Sequence, residues 1–230
     1  MKVVDNSPVK ERRNSITDHD LTIRVDYAAV GEKRPSDNAL FFRSWLEDPL
    51  RAGAFKPSGA ALARAMAARI DPSMPGPIVE LGPGTGAVTA ALVACGVNPS
   101  RLVLVEADPV FCRLLRERWP RARVLQTDAY TAPAIIRALD DPAAAVVAGL
   151  PLLVRPPRQR LRLVLDCLRN AAPQAPFVQF TYFVRSPVPA PRPGLRAHGS
   201  MMVWRNLWPA RVWVYRLADH RAGIIRNAHT

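Results

Sequence analysis

Gly82, Gly84 and Gly86 alternate with Pro83 and Thr85 in the stretch 80–89 (ELGPGTGAVT). A strand-like apolar run precedes them and an Ala/Val-rich stretch of helical character follows. Glycine at such a junction lets the backbone turn tightly and approach a ligand with no Cβ in the way. Alone, the spacing is also that of any flexible loop. Its surroundings give it meaning. Residues 102–106 (LVLVE) read as the next strand and end in Glu106, 20 positions after Gly86. An acid there, followed by Ala107, stands at a strand tip and can accept from both hydroxyls of a ribose. A third strand, 123–127, delivers Asp128 and Ala129, where the carboxylate can accept from an adenine amine. A fourth ends in Gly149, Leu150 and Pro151, at the mouth of the same crevice. Each acid singly could be a helix cap. Together, at the carboxyl ends of neighbouring strands, they outline the ligand crevice of an open α/β sheet.

The dinucleotide fingerprint G-x-G-x-x-G is not met, because Ala87 stands where its last glycine belongs. Glu80 also precedes the loop, a carboxylate that would repel a pyrophosphate but suits the cationic amino end of S-adenosylmethionine. The expected cofactor is therefore S-adenosylmethionine. The candidate set is Glu80, Gly82, Pro83, Gly84, Thr85, Gly86, Glu106, Ala107, Asp128, Ala129, Gly149 and Leu150.

The elements that must carry these residues alternate. Strand-like runs at 78–81, 102–106, 123–127, 145–148 and 177–183 are separated by helical stretches at 86–95, 109–119, 131–139 and 156–170, with another at 58–70. Such alternation predicts a parallel sheet with right-handed crossovers. Residues 202–205 and 211–217 read as two closing strands, and 186–194 (SPVPAPRPG) as an extended, irregular loop. The expected division is an N-terminal segment, 1–57, and a catalytic domain, 58–230. In the N-terminal segment, residues 37–48 form an amphipathic helix on which Phe41, Phe42, Trp45 and Leu46 share one arc beside Arg43. That face fits either packing on the domain as a lid or lying in a lipid headgroup plane.

Of the 230 residues, 49% are apolar, an ordinary share for one globular domain. The longest apolar run, 143–154, has 12 residues and is too short to span a bilayer. The N-terminus lacks the apolar core of a signal peptide. Cys95, Cys112 and Cys167 are widely spaced, so neither a disulfide framework nor a metal site is expected. Charge is uneven: residues 151–230 hold 13 Arg against Asp166 and Asp219, a net +11 of the total +13. That field favours an anionic partner, lipid or nucleic acid, although 28 of the 32 cations being Arg also suits a general preference for Arg.

From about Phe41 to Leu217 the chain resembles the soluble bacterial phosphatidylethanolamine N-methyltransferases and, more distantly, the rRNA adenine dimethyltransferases. The shared signature is FFRSWLEDPLRAGAFKPS at 41–58, VELGPGTGAVT at 79–89, LVEAD at 104–108 and TDAY at 127–130. The resemblance implies a Rossmann-like class I methyltransferase fold, a seven-stranded mostly parallel sheet with helices on both faces. It also implies cofactor binding by Glu80, Gly82, Gly84 and Glu106, and transfer of methyl groups to phosphatidylethanolamine or its methylated derivatives. The adenine enzymes use an Asn-Leu-Pro-Tyr type motif, whose Asn and aromatic hold a flipped base. Here that site reads Gly149, Leu150, Pro151, Leu152, and, with a short stretch after the last strand, no helical RNA-binding domain is expected. An anionic membrane surface is thus the expected partner and nucleic acid is not, with an RNA-modifying or RNA-binding relative as the alternative. The expected location is cytoplasmic, on the inner face of the cell membrane. The substrate amine, with a pKa of roughly 10, must lose a proton before attack. Tyr182 and Tyr27 are the candidates to bind it, with His198 a weaker one.

Overall fold

The computed structural model describes residues 57–182, 184–189, 194–204 and 209–218. Tyr27 and the helix expected at 37–48, with Phe41, Phe42, Arg43, Trp45 and Leu46, lie outside the described residues.

Strands β1 (Ile78–Leu81), β2 (Leu102–Glu106) and β4 (Ala145–Ala148) are buried at every position. Both faces of a central parallel strand are covered by helices, so such strands read as unbroken apolar runs. With β3 (Arg123–Gln126), β5 (Phe177–Thr181), β6 (Leu195–Val203) and β7 (Ala210–Leu217) they form a seven-stranded sheet ordered β3-β2-β1-β4-β5-β7-β6. The first five strands are parallel, and β7 enters antiparallel to β5. The parallel strands are those the alternation predicts, and the whole is the Rossmann-like, mostly parallel sheet that the resemblance implies.

Side chains alternate between two cores. Ile78, Leu102, Leu104, Ala145 and Val147 face α1 (Pro57–Ala67), α2 (Ala87–Ala94) and α3 (Pro109–Arg118). Val79, Leu81, Val103, Val105, Val146 and Ala148 face α4 (Ala132–Arg137) and α5 (Pro157–Asn170). Helix α5 shows why the elements dock as they do. Leu161, Val164 and Leu168 are buried on one side while Arg158, Arg162 and Arg169 stay exposed on the other. Each such leucine contributes about 1.5–3 kcal/mol when removed from water.

One element departs from expectation. Strand β6 begins at Leu195, not at 202, and runs nine residues along β7 with a register shift between Gly199 and Met202. It is an edge strand whose residues are half-exposed or exposed throughout; Leu195 and Ala197 alternate with Arg196 and His198, but Gly199 and Ser200 cut that pattern short. Pairing with β7 creates it. The other boundaries shift by a few residues; β5 stops at Thr181 and α1 at Ala67. Among the described residues no helix is long and apolar enough to cross a membrane.

Candidate cofactor site at the carboxyl ends of the strands

The loop after β1 is held open by three left-handed glycines, Gly82 (φ 65°), Gly84 (φ 55°) and Gly86 (φ 80°). L side chains rarely adopt these angles. Two of the three also lack room for a side chain. A Cβ on Gly82 would lie 2.7 Å from Leu150 Cδ2, and one on Gly86 would lie 2.3 Å from the Trp119 ring. At Gly84 a Cβ would project into open space, with no atom within 4 Å. Gly84 is thus the point of the loop that faces a void.

Glu106 ends β2 beside that point. Its Oε2 accepts from Gly84 N at 3.0 Å and its Oε1 from Asp108 N at 2.9 Å. Two backbone donors therefore orient the carboxylate, and an ionised carboxylate has about four acceptor sites, so capacity remains for a ligand. Asp128 follows β3 and is exposed; its Oδ1 accepts from Tyr130 N at 2.8 Å, capping the short 3-10 turn Ala129–Thr131. The helix-cap role and a ligand role coexist here, since one bond does not exhaust the group. Gly149 completes the crevice at the end of β4, where its N–H donates to Leu81 O at 2.8 Å.

Glu80 sits deeper than its neighbours. It is 1% exposed and accepts from the Thr89 hydroxyl on α2 at 2.7 Å. Burial raises its pKa to about 7; the Thr89 hydroxyl opposes the shift and the nearby Glu106 charge adds to it. The carboxyl group is held under the loop floor rather than open to solvent. Tyr182 lies just past β5, edge-on to Phe180 at 5.4 Å between ring centroids, and packs on the core of the α1–α2 face.

Several supports were not read from the sequence. Thr89 partners Glu80, and Trp119 walls Gly86. Arg118 Nη1 donates to Thr85 O at 3.0 Å. Gln179, 1% exposed in β5, donates from Nε2 to Leu150 O at 2.8 Å while its Oε1 has no partner. A glutamine amid the apolar run FVQFT was the available signal. Arg155 stacks over the Tyr130 ring at 5.0 Å, a cation–π contact across the mouth.

The ribosomal RNA adenine dimethylase family matches residues 62–151, the stretch that carries this crevice. An ornithine lipid N-methyltransferase from Singulisphaera acidiphila is 32% identical over 150 residues, which are 63% of this chain and 78% of that protein. The chain belongs to the class I S-adenosylmethionine-dependent methyltransferases. A ribosomal RNA small subunit methyltransferase A from Synechococcus sp. strain JA-3-3Ab is also 32% identical, over 153 residues; the chain spans 60% of its own length and half of that relative's. Two solved structures share the fold. TrmN from Thermus thermophilus has a TM-score of 0.51 at 20% identity, covering 69% of this chain and 49% of that one. A Burkholderia thailandensis 1,6-didemethyltoxoflavin-N1-methyltransferase with bound S-adenosylhomocysteine has a TM-score of 0.54 at 17% identity, covering 85% and 94%. The cofactor of this methyltransferase class is S-adenosylmethionine, and the residues present fit it. The void over Gly84, the oriented Glu106 carboxylate and the buried acid below the loop suit a neutral ribose beside a cationic amino acid.

Proposed function

We propose that this methyltransferase moves methyl groups from S-adenosylmethionine to the amine of phosphatidylethanolamine, towards phosphatidylcholine, on the inner face of the cell membrane. The observation that carries this reading is the state of residues 149–152. A Cβ at Gly149 would lie 2.7 Å from Gly82 O, so this backbone has no room for the Asn that would read an adenine amine. Leu152 is buried in the α4–α5 core and offers no face on which a flipped base could stack. The competing reading, methylation of an rRNA adenine, has the family match and the cyanobacterial relative behind it. The missing base-reading groups weigh against it, and the ornithine lipid N-methyltransferase relative shows that a lipid amine is within reach of similar sequences.

In this reading the ribose hydroxyls donate to Glu106, Asp128 receives the adenine amine, and Pro83, Thr85, Ala107, Ala129 and Leu150 line the pocket. The charged form of Glu80 makes the floor of the loop attractive to the cofactor's ammonium. The bound sulfonium supplies an already activated methyl group. The protein's task is then chiefly to hold nucleophile, methyl and sulfur in line. Tyr182 would hold the amine, with Tyr27 as a second aromatic, since aromatic faces bind methylated ammonium groups. The amphipathic stretch with Phe41, Phe42, Arg43, Trp45 and Leu46 would lie at the lipid surface.

Incubation with labelled S-adenosylmethionine and vesicles of phosphatidylethanolamine, vesicles of ornithine lipid, or small-subunit rRNA separates the readings. Label in phosphatidylethanolamine is expected. Label in ornithine lipid alone would move the headgroup assignment, and rRNA labelled at a matching rate would refute the lipid reading.

A further inference from the structure

Strand pairing fixes which end of the sheet each exposed apolar side chain occupies. Arg211 of β7 stands opposite Thr181, the last residue of β5, and Val203 of β6 stands opposite Ala210. Met201 and Trp204 therefore lie at the carboxyl end of the parallel strands, the end that carries the glycine loop, Glu106 and Gly149. Met201 is 89% exposed and Trp204 74%. Val184, three residues past β5, is 64% exposed, and its carbonyl accepts from Arg211 Nη1 at 3.2 Å. Leu153, in the 3-10 turn that follows β4, is 40% exposed. Single exposed apolar residues are ordinary on any protein. Here four large ones follow one end of the sheet from β4 to β6. Of the other two among the described residues, Val110 is at this same end and Met74 is not.

Charge on the segments that form this rim is one-sided, whereas Glu106, Asp108 and Asp128 lie apart from it at the ends of β2 and β3. Between residues 151 and 218 the single carboxylate is Asp166, and it is engaged on α5 by Arg162 and Arg169. Arg155 and Arg185 are exposed beside Leu153 and Val184. An RNA would satisfy the arginines and leave the aliphatic tips in water. An anionic bilayer answers both, since headgroup phosphates take the guanidinium groups and the acyl boundary takes the apolar side chains.

We propose that this rim, Leu153, Val184, Met201 and Trp204 with Arg155 and Arg185, is a membrane-docking surface that seats the cofactor mouth against an anionic bilayer. It deepens the lipid reading above and rests on it for the substrate. The test uses the full chain and vesicles of phosphatidylethanolamine with phosphatidylglycerol, in co-sedimentation. A Met201→Ser, Trp204→Ser double variant should partition at least tenfold more weakly than wild type, with unchanged thermal midpoint and S-adenosylhomocysteine affinity. Arg185→Glu should also weaken partitioning, and it carries the test should the double variant fold poorly. Equal pelleting of wild type and both variants would overturn the proposal. So would a wild type that holds an RNA hairpin at physiological salt and ignores vesicles. Rim-dependent vesicle binding with no lipid methylation would sink the substrate reading and leave the surface standing. Methylation of detergent-dispersed phosphatidylethanolamine with rim-independent vesicle binding would do the reverse.

Discussion

Burial of Glu80 ties stability to pH and, in its proposed role, to cofactor binding. Its pKa of about 7 in the folded protein lies above the ordinary value for Glu, about 4.3. The folded state then holds the proton more tightly than the unfolded one. The associated stability is fully present below about pH 4 and is lost as pH rises to about 7, beyond which the effect is flat. At about 1.4 kcal/mol per pKa unit the loss is on the order of 4 kcal/mol. Glu80→Gln keeps an acceptor for Thr89 without the titration. Its stability in urea should therefore change less than that of wild type between about pH 5 and pH 8. A cationic ligand favours the charged carboxylate, so wild-type affinity for S-adenosylmethionine should rise over the same range while that of Glu80→Gln stays level. Calorimetry in two buffers of different ionisation enthalpy reads the released proton directly. Glu106→Ala removes the oriented carboxylate proposed to accept from the ribose hydroxyls, and a hydrogen bond to a charged group is worth about 1.5–3 kcal/mol. Cofactor affinity should fall about tenfold to a hundredfold; an unchanged value would remove Glu106 from the ribose.

At the scale of elements, the turn from β1 into α2 depends on α3. Gly86 N donates to Pro83 O at 2.8 Å, and the Trp119 ring, just beyond the end of α3, closes over the glycine. Gly86→Ala would meet two penalties, a left-handed backbone costing about 1–2 kcal/mol and overpacking costing about 1–3 kcal/mol. Urea unfolding should show a loss of about 2–5 kcal/mol. Adding Trp119→Ala should recover the packing part and leave the backbone part, which a double-mutant cycle separates. Gly149→Asn tests the neighbouring strand end. With Gly82 O so near, the change should lower stability and cofactor affinity and should not confer adenine methylation. Adenine methylation by that variant would show that the mouth can be remodelled as a base-reading site.

Across the whole molecule, the charge bias and the sheet direction act together. Residues 151–230 carry +11, and the arginines at 155 and 185 share the carboxyl end of the sheet with exposed apolar side chains. Each basic residue near an anionic surface is worth about 1 kcal/mol, and the attraction decays over about 10 Å at 0.1 M salt. Binding to phosphatidylglycerol vesicles should therefore weaken as salt rises from about 0.05 to 0.5 M but not vanish, because the apolar part is unscreened. Light scattering or co-sedimentation across that series measures it. Complete loss at high salt would mean that charge alone holds the protein to the surface.

The central strands and the glycine loop are legible in the sequence, for a physical reason. β1, β2 and β4 are buried on both faces, so their apolar runs needed no knowledge of neighbours. The glycines announced a backbone requirement that is local, a left-handed turn, and the acids at 106 and 128 followed at strand tips. Edge strand β6 was illegible at its first half because the alternation in 195–200 (LRAHGS) lasts only from Leu195 to His198 before Gly199 and Ser200, and pairing with β7 makes it a strand. The same limit hid Gln179 on the Leu150 carbonyl, Trp119 against Gly86 and the lift in the Glu80 pKa. Each depends on which side chain a distant segment brings within a few ångströms. Sequence by itself determined the kind of sheet and the residues at its carboxyl ends. The assembled sheet decided that Gly149 has no room for a base-reading side chain, that Leu152 turns inward, and that Met201 and Trp204 stand at the same end as Val184 and Arg185, because packing and strand direction are properties of the paired strands.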